Sequence, residues 1–237
     1  LVAFALVLLV ATGKWLPETH PVEARTPLST GALLRSYVQM GTNPRLLRLA
    51  AAGAFNFSGI FLYIASAPVF VMQHLQLGEG GFAWLFIPTI GGMTMGSFLS
   101  GRMAGRMTAA RQVGIGFSLC AVSALVNLAY VAAVGQIALP WAVLPIFIGG
   151  VGMALIFPIL ALAVLDMYPH QRGLASSMQM FLQLMINTVV AGVVSPLLSH
   201  TPLHLALGYA GFFAIGASFW FWERRCERRR EALAGLA

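Results

Sequence analysis

The sequence predicts an all-α membrane protein that crosses the bilayer six times. Of its 237 residues, 59% are hydrophobic and 9% are charged, and the mean hydropathy is +0.83. A soluble domain usually has about 25% charged residues, because its surface faces water. Each crossing of the hydrocarbon core needs about 20 apolar residues, and the backbone hydrogen bonds must close within the segment, which favours helices. The chain is long enough for six such helices with short connections.

Six long apolar segments follow one another along the chain. Their connections are short and contain Gly, Pro and Ser, which are typical of turns. The ten-residue alternation of a transmembrane β-strand is absent from the sequence. Residues 46–222 are therefore predicted to form a six-helix domain, with segments near 46–72, 82–104, 112–134, 138–165, 173–197 and 204–222.

The residues before this domain fall into two parts. Residues 1–13 are apolar but too short to cross a bilayer, and Leu1 is not an initiator methionine, so we expect the end of a transmembrane helix that begins upstream. The polar segment 14–45 has four prolines that break any long helix. After candidate caps at Ser29 and Thr30, apolar residues recur at helical spacing and predict one short helix. That helix lies either in the membrane interface or in a solvated linker.

The basic residues indicate the orientation of the helices. When six crossings alternate sides, all 14 Lys and Arg residues fall on one side, and the other side carries only Glu79 as a charged residue. The positive-inside rule then places segment 14–45 and a basic tail, residues 223–237, in the cytoplasm. Because the basic residues end apolar segments instead of forming a patch interleaved with aromatic residues, we expect no nucleic-acid partner.

An amide stripe runs along the fifth predicted helix. Gln179, Gln183 and Asn187 recur at i, i+4 and i+8, which places them on one helix face. Amides facing lipid are costly, so the stripe faces either a watery cavity or a neighbouring helix that it hydrogen-bonds. Asn56 and Tyr63, seven residues apart in the first helix, are candidates to face the same space, and the alternative for Asn56 is pairing with backbone.

Small residues repeat every four positions in the second predicted helix. They are Gly92, Gly96 and Ser100. This spacing lets two helices approach closely. It predicts tight packing, and it is also compatible with a sliding surface for conformational change.

The sequence contains no recognisable enzyme or metal motif. It has no Gly-rich phosphate loop ending in Lys-Ser or Lys-Thr, and no pair of His with Glu on one helix. Pro202 separates His200 from His204, which spoils a helical metal pair. We therefore expect neither an enzyme nor a metal or organic cofactor.

Several runs resemble a known family. Residues 14–19, Lys-Trp-Leu-Pro-Glu-Thr, resemble the Leu-Pro-Glu-Thr after helix 6 in twelve-helix drug:proton antiporters of the major facilitator superfamily. The runs 59–68, 82–86 and 96–102 are similar to the bicyclomycin/chloramphenicol-resistance (Bcr/CflA) branch. The turn 101–106 resembles the family's cytoplasmic helix 2–3 motif but lacks its Asp.

The resemblance implies the C-terminal half of such a transporter in a bacterial inner membrane. The six helices would be helices 7–12, built as two three-helix inverted repeats, with substrate held between them and an N-terminal six-helix half. It implies efflux of amphipathic drug-like molecules, driven by the proton gradient. No ionisable residue lies deep in a predicted helix, so the coupling acid is expected outside this chain. Neutral amides at Gln179, Gln183 and Asn187 would orient varied substrates.

A cytoplasmic gate follows as a hypothesis from the same resemblance. Asp166 would pair with Arg102 or Arg106 across two helix ends, or locally with Arg172. Two other functions stay open at this stage. One is an uptake permease of the same superfamily, which a fixed charge in the cavity would favour. The other is a non-transporting membrane scaffold or sensor that uses the basic tail to bind a partner, although such a tail more simply lies beside anionic lipid.

Overall fold

The computed structural model describes residues 2–15 and 30–234, and throughout these ranges the regular elements are helical. The expected breaks at Pro17, Pro21 and Pro27, the cap at Ser29 and the end of the basic tail lie outside the described residues. The helices are α1 (Val2–Trp15), α2 (Thr30–Gly41), α3 (Pro44–Ala65), α4 (Phe82–Met103), α5 (Ala109–Ala133), α6 (Leu144–Asp166), α7 (Arg172–Val189), α8 (Ser195–Leu198) and α9 (Pro202–Ala234).

The chain divides into two compact units, residues 1–38 and 39–237. The first unit contains α1, whose 14 residues include no buried side chain. Such a helix rises about 21 Å, less than the roughly 30 Å of a hydrocarbon core. The second unit contains the helix bundle.

Six helices of the described chain are long and apolar enough to cross a membrane, which confirms the predicted number. They are α3, α4, α5, α6, α9 and the continuous segment Arg172–Leu198. Within that segment, a π-helical turn at Val190–Val194 joins α7 to α8. Pro196 explains the turn, because proline has no N–H to offer the carbonyl four residues earlier. Pro68 likewise follows the end of α3, so this α-helix ends before the predicted boundary at 72.

The last helix differs from the prediction. We placed the end of the sixth crossing at 222 and a separate tail from 223, but α9 is one helix of 33 residues. Its length is about 50 Å, so it extends well beyond a hydrocarbon core. The predicted boundary at 222 is therefore not a helix end.

In the second unit, α3 packs against α9, α6 and α7, and α6 also packs against α4 and α5. Hydrogen bonds show which helix ends lie together. Asn43, the N-cap of α3, donates to the Tyr168 hydroxyl just after α6 at 2.8 Å, and Gln112 in α5 donates to Ser100 in α4 at 2.7 Å. At the opposite end of these helices, His74 follows α3 and Ser199 follows α8. His74 Nε2 lies 2.8 Å from the Ser199 carbonyl oxygen.

Candidate substrate cavity

A pocket of about 520 Å³ lies between α3, α4 and α6. This volume is within the range of small-molecule sites, roughly 300–1,000 Å³. None of the nine described residues that line it is charged: they are Phe57, Met93, Ser97, Ser100, Gly101, Met153, Ala154, Phe157 and Pro158. The aromatic rings offer broad apolar contact, and flexible thioethers adapt to different shapes. The Ser97 hydroxyl adds a neutral hydrogen-bonding group, whereas the Ser100 hydroxyl already accepts from Gln112.

The small-residue face of α4 packs against α6 beside this pocket. A methyl group added at Gly92 would overlap the backbone of Phe147, and one at Gly96 would overlap the backbone of Val151, both in α6. This is the close approach that the Gly-Gly-Ser spacing predicts. Met93 and Ser97 each follow one of these glycines, so they project about 100° further round the helix and face the pocket.

The amide stripe faces the inside of the bundle. The exposed fractions of Gln179, Gln183 and Asn187 are 5%, 8% and 8%. The hydroxyl of Ser58 in α3 donates to Asn187 Oδ1 at 3.0 Å, so this amide joins α3 to α7. Gln179 and Gln183 have no side-chain hydrogen bond to any residue that the structure describes. The stripe therefore combines one helix-joining amide with two whose hydrogen-bonding groups are unused.

Asn56 and Tyr63 do not share the space of the stripe, contrary to our expectation. Both are about 1% exposed and both contact α5. Asn56 Nδ2 lies 3.5 Å from Cys120 Sγ, and the Tyr63 hydroxyl accepts from Asn127 Nδ2 at 2.8 Å. The two-residue step from Asn56 to Ser58 turns the helix by about 200°, which explains why one faces α5 and the other α7.

Of the pairings expected for the gate residue Asp166, the structure shows the local one with Arg172. Asp166 pairs with Arg172 at 3.2 Å, and their side chains are 67% and 60% exposed. Arg102 lies over the Phe98 ring, 4.4 Å from its centre. Arg106 lies in the turn between α4 and α5, next to Gly105, whose φ of +74° favours glycine.

Sequence reasoning missed a buried ion-pair cluster between α3 and α9. Arg48 Nε lies 2.6 Å from Glu223 Oε2, and the Glu223 side chain is 3% exposed. Arg45 contacts Glu223 at 3.3 Å and Glu227 at 3.2 Å. We assigned Glu223 to a tail and so did not consider burial. The sequence did carry a signal for this cluster. The two glutamates are four residues apart and the two arginines three apart, so each pair lies on one helix face.

Among the residues that the structure describes, no group of three or more His, Cys, Asp or Glu side chains is placed to hold a metal ion.

Comparisons with known proteins point to one family. The family model described as Major Facilitator Superfamily matches residues 1–186. A bicyclomycin resistance protein homolog of Haemophilus influenzae is 25% identical over 119 residues, 50% of this chain and 29% of the relative. The multidrug transporter MdfA of Edwardsiella piscicida is 29% identical over 114 residues, 48% of this chain and 28% of the relative. The uncharacterized MFS-type transporter YdgK of Bacillus subtilis is 25% identical over 196 residues, 82% of this chain and 47% of the relative.

Proposed function

The chain belongs to the major facilitator superfamily, whose matched relatives are transporters and not enzymes, and from that premise we propose that it is the C-terminal half of a proton-driven exporter of amphipathic drug-like molecules. The chain spans less than half the length of the curated relatives it matches. In this proposal an N-terminal six-helix half supplies the other wall of the substrate site, and the two halves rock around the substrate.

The uncharged pocket between α3, α4 and α6 is the observation that supports drug-like substrates best. Phe57 and Phe157 would bind flat apolar groups, and Met93 and Met153 would adapt to their outlines. A nutrient permease for an anionic substrate would need a fixed positive charge here, and no described lining residue carries one. The names of two relatives, a bicyclomycin resistance homolog and a multidrug transporter, agree with this choice.

The amides of Gln179 and Gln183 extend the proposed site along α7. Each amide can donate or accept a hydrogen bond without demanding a charge on its partner. Their spare groups thus suit substrates with varied polar substituents. Asn187 already bonds Ser58, and Asn56 and Tyr63 face α5, so we leave these three out of the lining.

The proposed driving force is proton entry through an acid outside this chain. The acidic residues of the described bundle are Glu79, Asp166, Glu223, Glu227 and Glu231, and all lie at or beyond the ends of the apolar segments. We also propose a bacterial inner membrane with a cytoplasmic C-terminus. The one-sided placement of all 14 basic residues supports that orientation.

The test is dye export from cells that express the whole transporter with both halves. We expect a lipophilic cationic dye to be expelled and a protonophore to stop its export. Phe157→Ala should raise the apparent KM about tenfold, because a buried aromatic contact is worth on the order of 1–2 kcal/mol. Phe181→Ala is the matched control, since Phe181 lies on α7 and is 56% exposed. Equal effects of the two substitutions would contradict the pocket assignment, and export unaffected by a protonophore would contradict proton coupling.

A further inference from the structure

A second pocket, of about 410 Å³, lies between the first turns of α5 and the second half of α9. We propose that it binds the phosphate headgroup of an anionic phospholipid. Four arginines line it, Arg111 from α5 and Arg224, Arg225 and Arg228 from α9. The headgroup site is independent of the substrate pocket between α3, α4 and α6.

The charges facing this pocket leave a positive excess. Glu227 pairs with Arg224 at 2.5 Å and with Arg45 at 3.2 Å, so the Arg224 charge is largely compensated. Arg111, Arg225 and Arg228 make no ion pair with any carboxylate in the described part of the chain. Guanidinium groups match phosphate oxygens in pairs, which makes this set suited to a phosphodiester.

The start of α5 adds a further contribution to the same pocket. Ala110 in its first turn lines the pocket, and Thr108 caps the helix by accepting from the Arg111 N–H at 3.3 Å. The N-terminal end of a helix carries the positive end of its dipole and favours an anion. The dipole and the three unpaired guanidinium groups therefore act in the same direction.

The position of the pocket along α9 favours a lipid headgroup over a free anion as its ligand. It lies where the apolar part of α9 gives way to arginines, at the aromatic sequence Phe219 to Trp222. Trp and Tyr are enriched at the headgroup level of a bilayer, and basic pockets between transmembrane helices bind anionic headgroups. Phe221 lines the pocket and is 56% exposed, so it offers an apolar surface for an acyl chain.

Gly114 gives the pocket its space and offers a way to close it. It lines the pocket, and a Cβ added there would meet nothing within 4 Å. A leucine at this position would enter the pocket without removing any charge. Gly114→Leu therefore separates the shape of the pocket from the overall charge of the helix.

The experiment measures dissociation constants of dioleoyl phosphatidylglycerol for the whole 237-residue chain in detergent, by native mass spectrometry. Dioleoyl phosphatidylcholine and inorganic phosphate are the comparison probes. Arg225→Gln and Gly114→Leu should each weaken phosphatidylglycerol binding about fivefold or more. Arg229→Gln is the matched control, because Arg229 is an exposed arginine of the same helix outside the pocket lining, and it should change binding less than about twofold.

Each other outcome overturns the proposal in a different way. Equal losses for Arg225→Gln and Arg229→Gln would mean diffuse attraction to a polybasic helix. Phosphatidylcholine binding as tightly as phosphatidylglycerol would mean that the headgroup charge is not recognised. Displacement of the lipid by an equal concentration of inorganic phosphate would mean a general anion site. A thermal melt of each variant checks that the bundle stays folded.

Discussion

The guanidinium of Arg48 and the carboxylate of Glu223 lie 2.6 Å apart, buried between the first and last helices of the bundle. Two charges removed from water are costly unless they pair and hydrogen-bond well. Arg45 and Arg230 also approach Glu223, at 3.3 Å and 3.8 Å. This cluster connects the start of α3 to the second half of α9, at the end of the bundle that carries the arginines.

Glu223→Gln should destabilise the bundle strongly, because Arg48 would remain buried without a counter-charge. Breaking a buried pair from one side costs about 3–5 kcal/mol. Thermal unfolding in detergent should show a large fall in the transition temperature. The matched control is Asp166→Asn, since the exposed Asp166–Arg172 pair is worth about 0–1 kcal/mol. Similar falls for the two variants would show that the buried cluster contributes no more than a surface pair.

Asp166→Asn also tests the gate hypothesis in the whole transporter. If Asp166 pairs with Arg102 or Arg106 in another conformation, its loss should raise labelling of cysteines placed in the cytoplasmic mouth. The measurement is the labelling rate with a membrane-impermeant maleimide, at matched expression. Labelling and transport both unchanged would leave Asp166 with only its local partner Arg172 and end the hypothesis.

Gly92→Ala should force α4 and α6 apart, because the new methyl group would overlap the backbone of Phe147. Overpacking of this kind costs typically about 1–3 kcal/mol. Gly91→Ala is a matched control one residue away, since its methyl group would meet its nearest neighbour at 3.8 Å, an ordinary contact. The measurement is again the unfolding temperature in detergent. Equal behaviour of the two variants would contradict the close approach of these helices.

Asn187→Ala and Gln183→Ala should separate the two roles within the amide stripe. Asn187→Ala removes the bond to Ser58 and should lower stability by about 0.6–2 kcal/mol. Gln183→Ala removes no described hydrogen bond, so it should leave stability nearly unchanged while altering the substrate range of export. The paired measurements are detergent unfolding and dye export across several dyes. A larger stability loss for Gln183→Ala would reverse this assignment.

The sequence by itself determined the number of apolar crossings, since hydrophobic length and the sidedness of arginine depend only on residue order. It also indicated the closely packing face of α4, because a four-residue repeat of small side chains lets a neighbouring helix approach. It placed the amides of α7 on one helix face, because they recur every four residues. The superfamily, though not its branch, followed from short runs of residues, and the match to residues 1–186 confirms that superfamily.

Only the tertiary structure decided which side chains meet. Helix periodicity says that Asn56 and Ser58 face opposite ways, but the neighbour on each side depends on how six helices are arranged. Burial of Glu223 depended on α9 continuing past 222 and on α3 presenting Arg48 to it, a contact across 175 residues. The arginine pocket likewise needs α5 and α9 side by side. Pairing between distant segments is set by packing in three dimensions, and local sequence patterns carry little information about it.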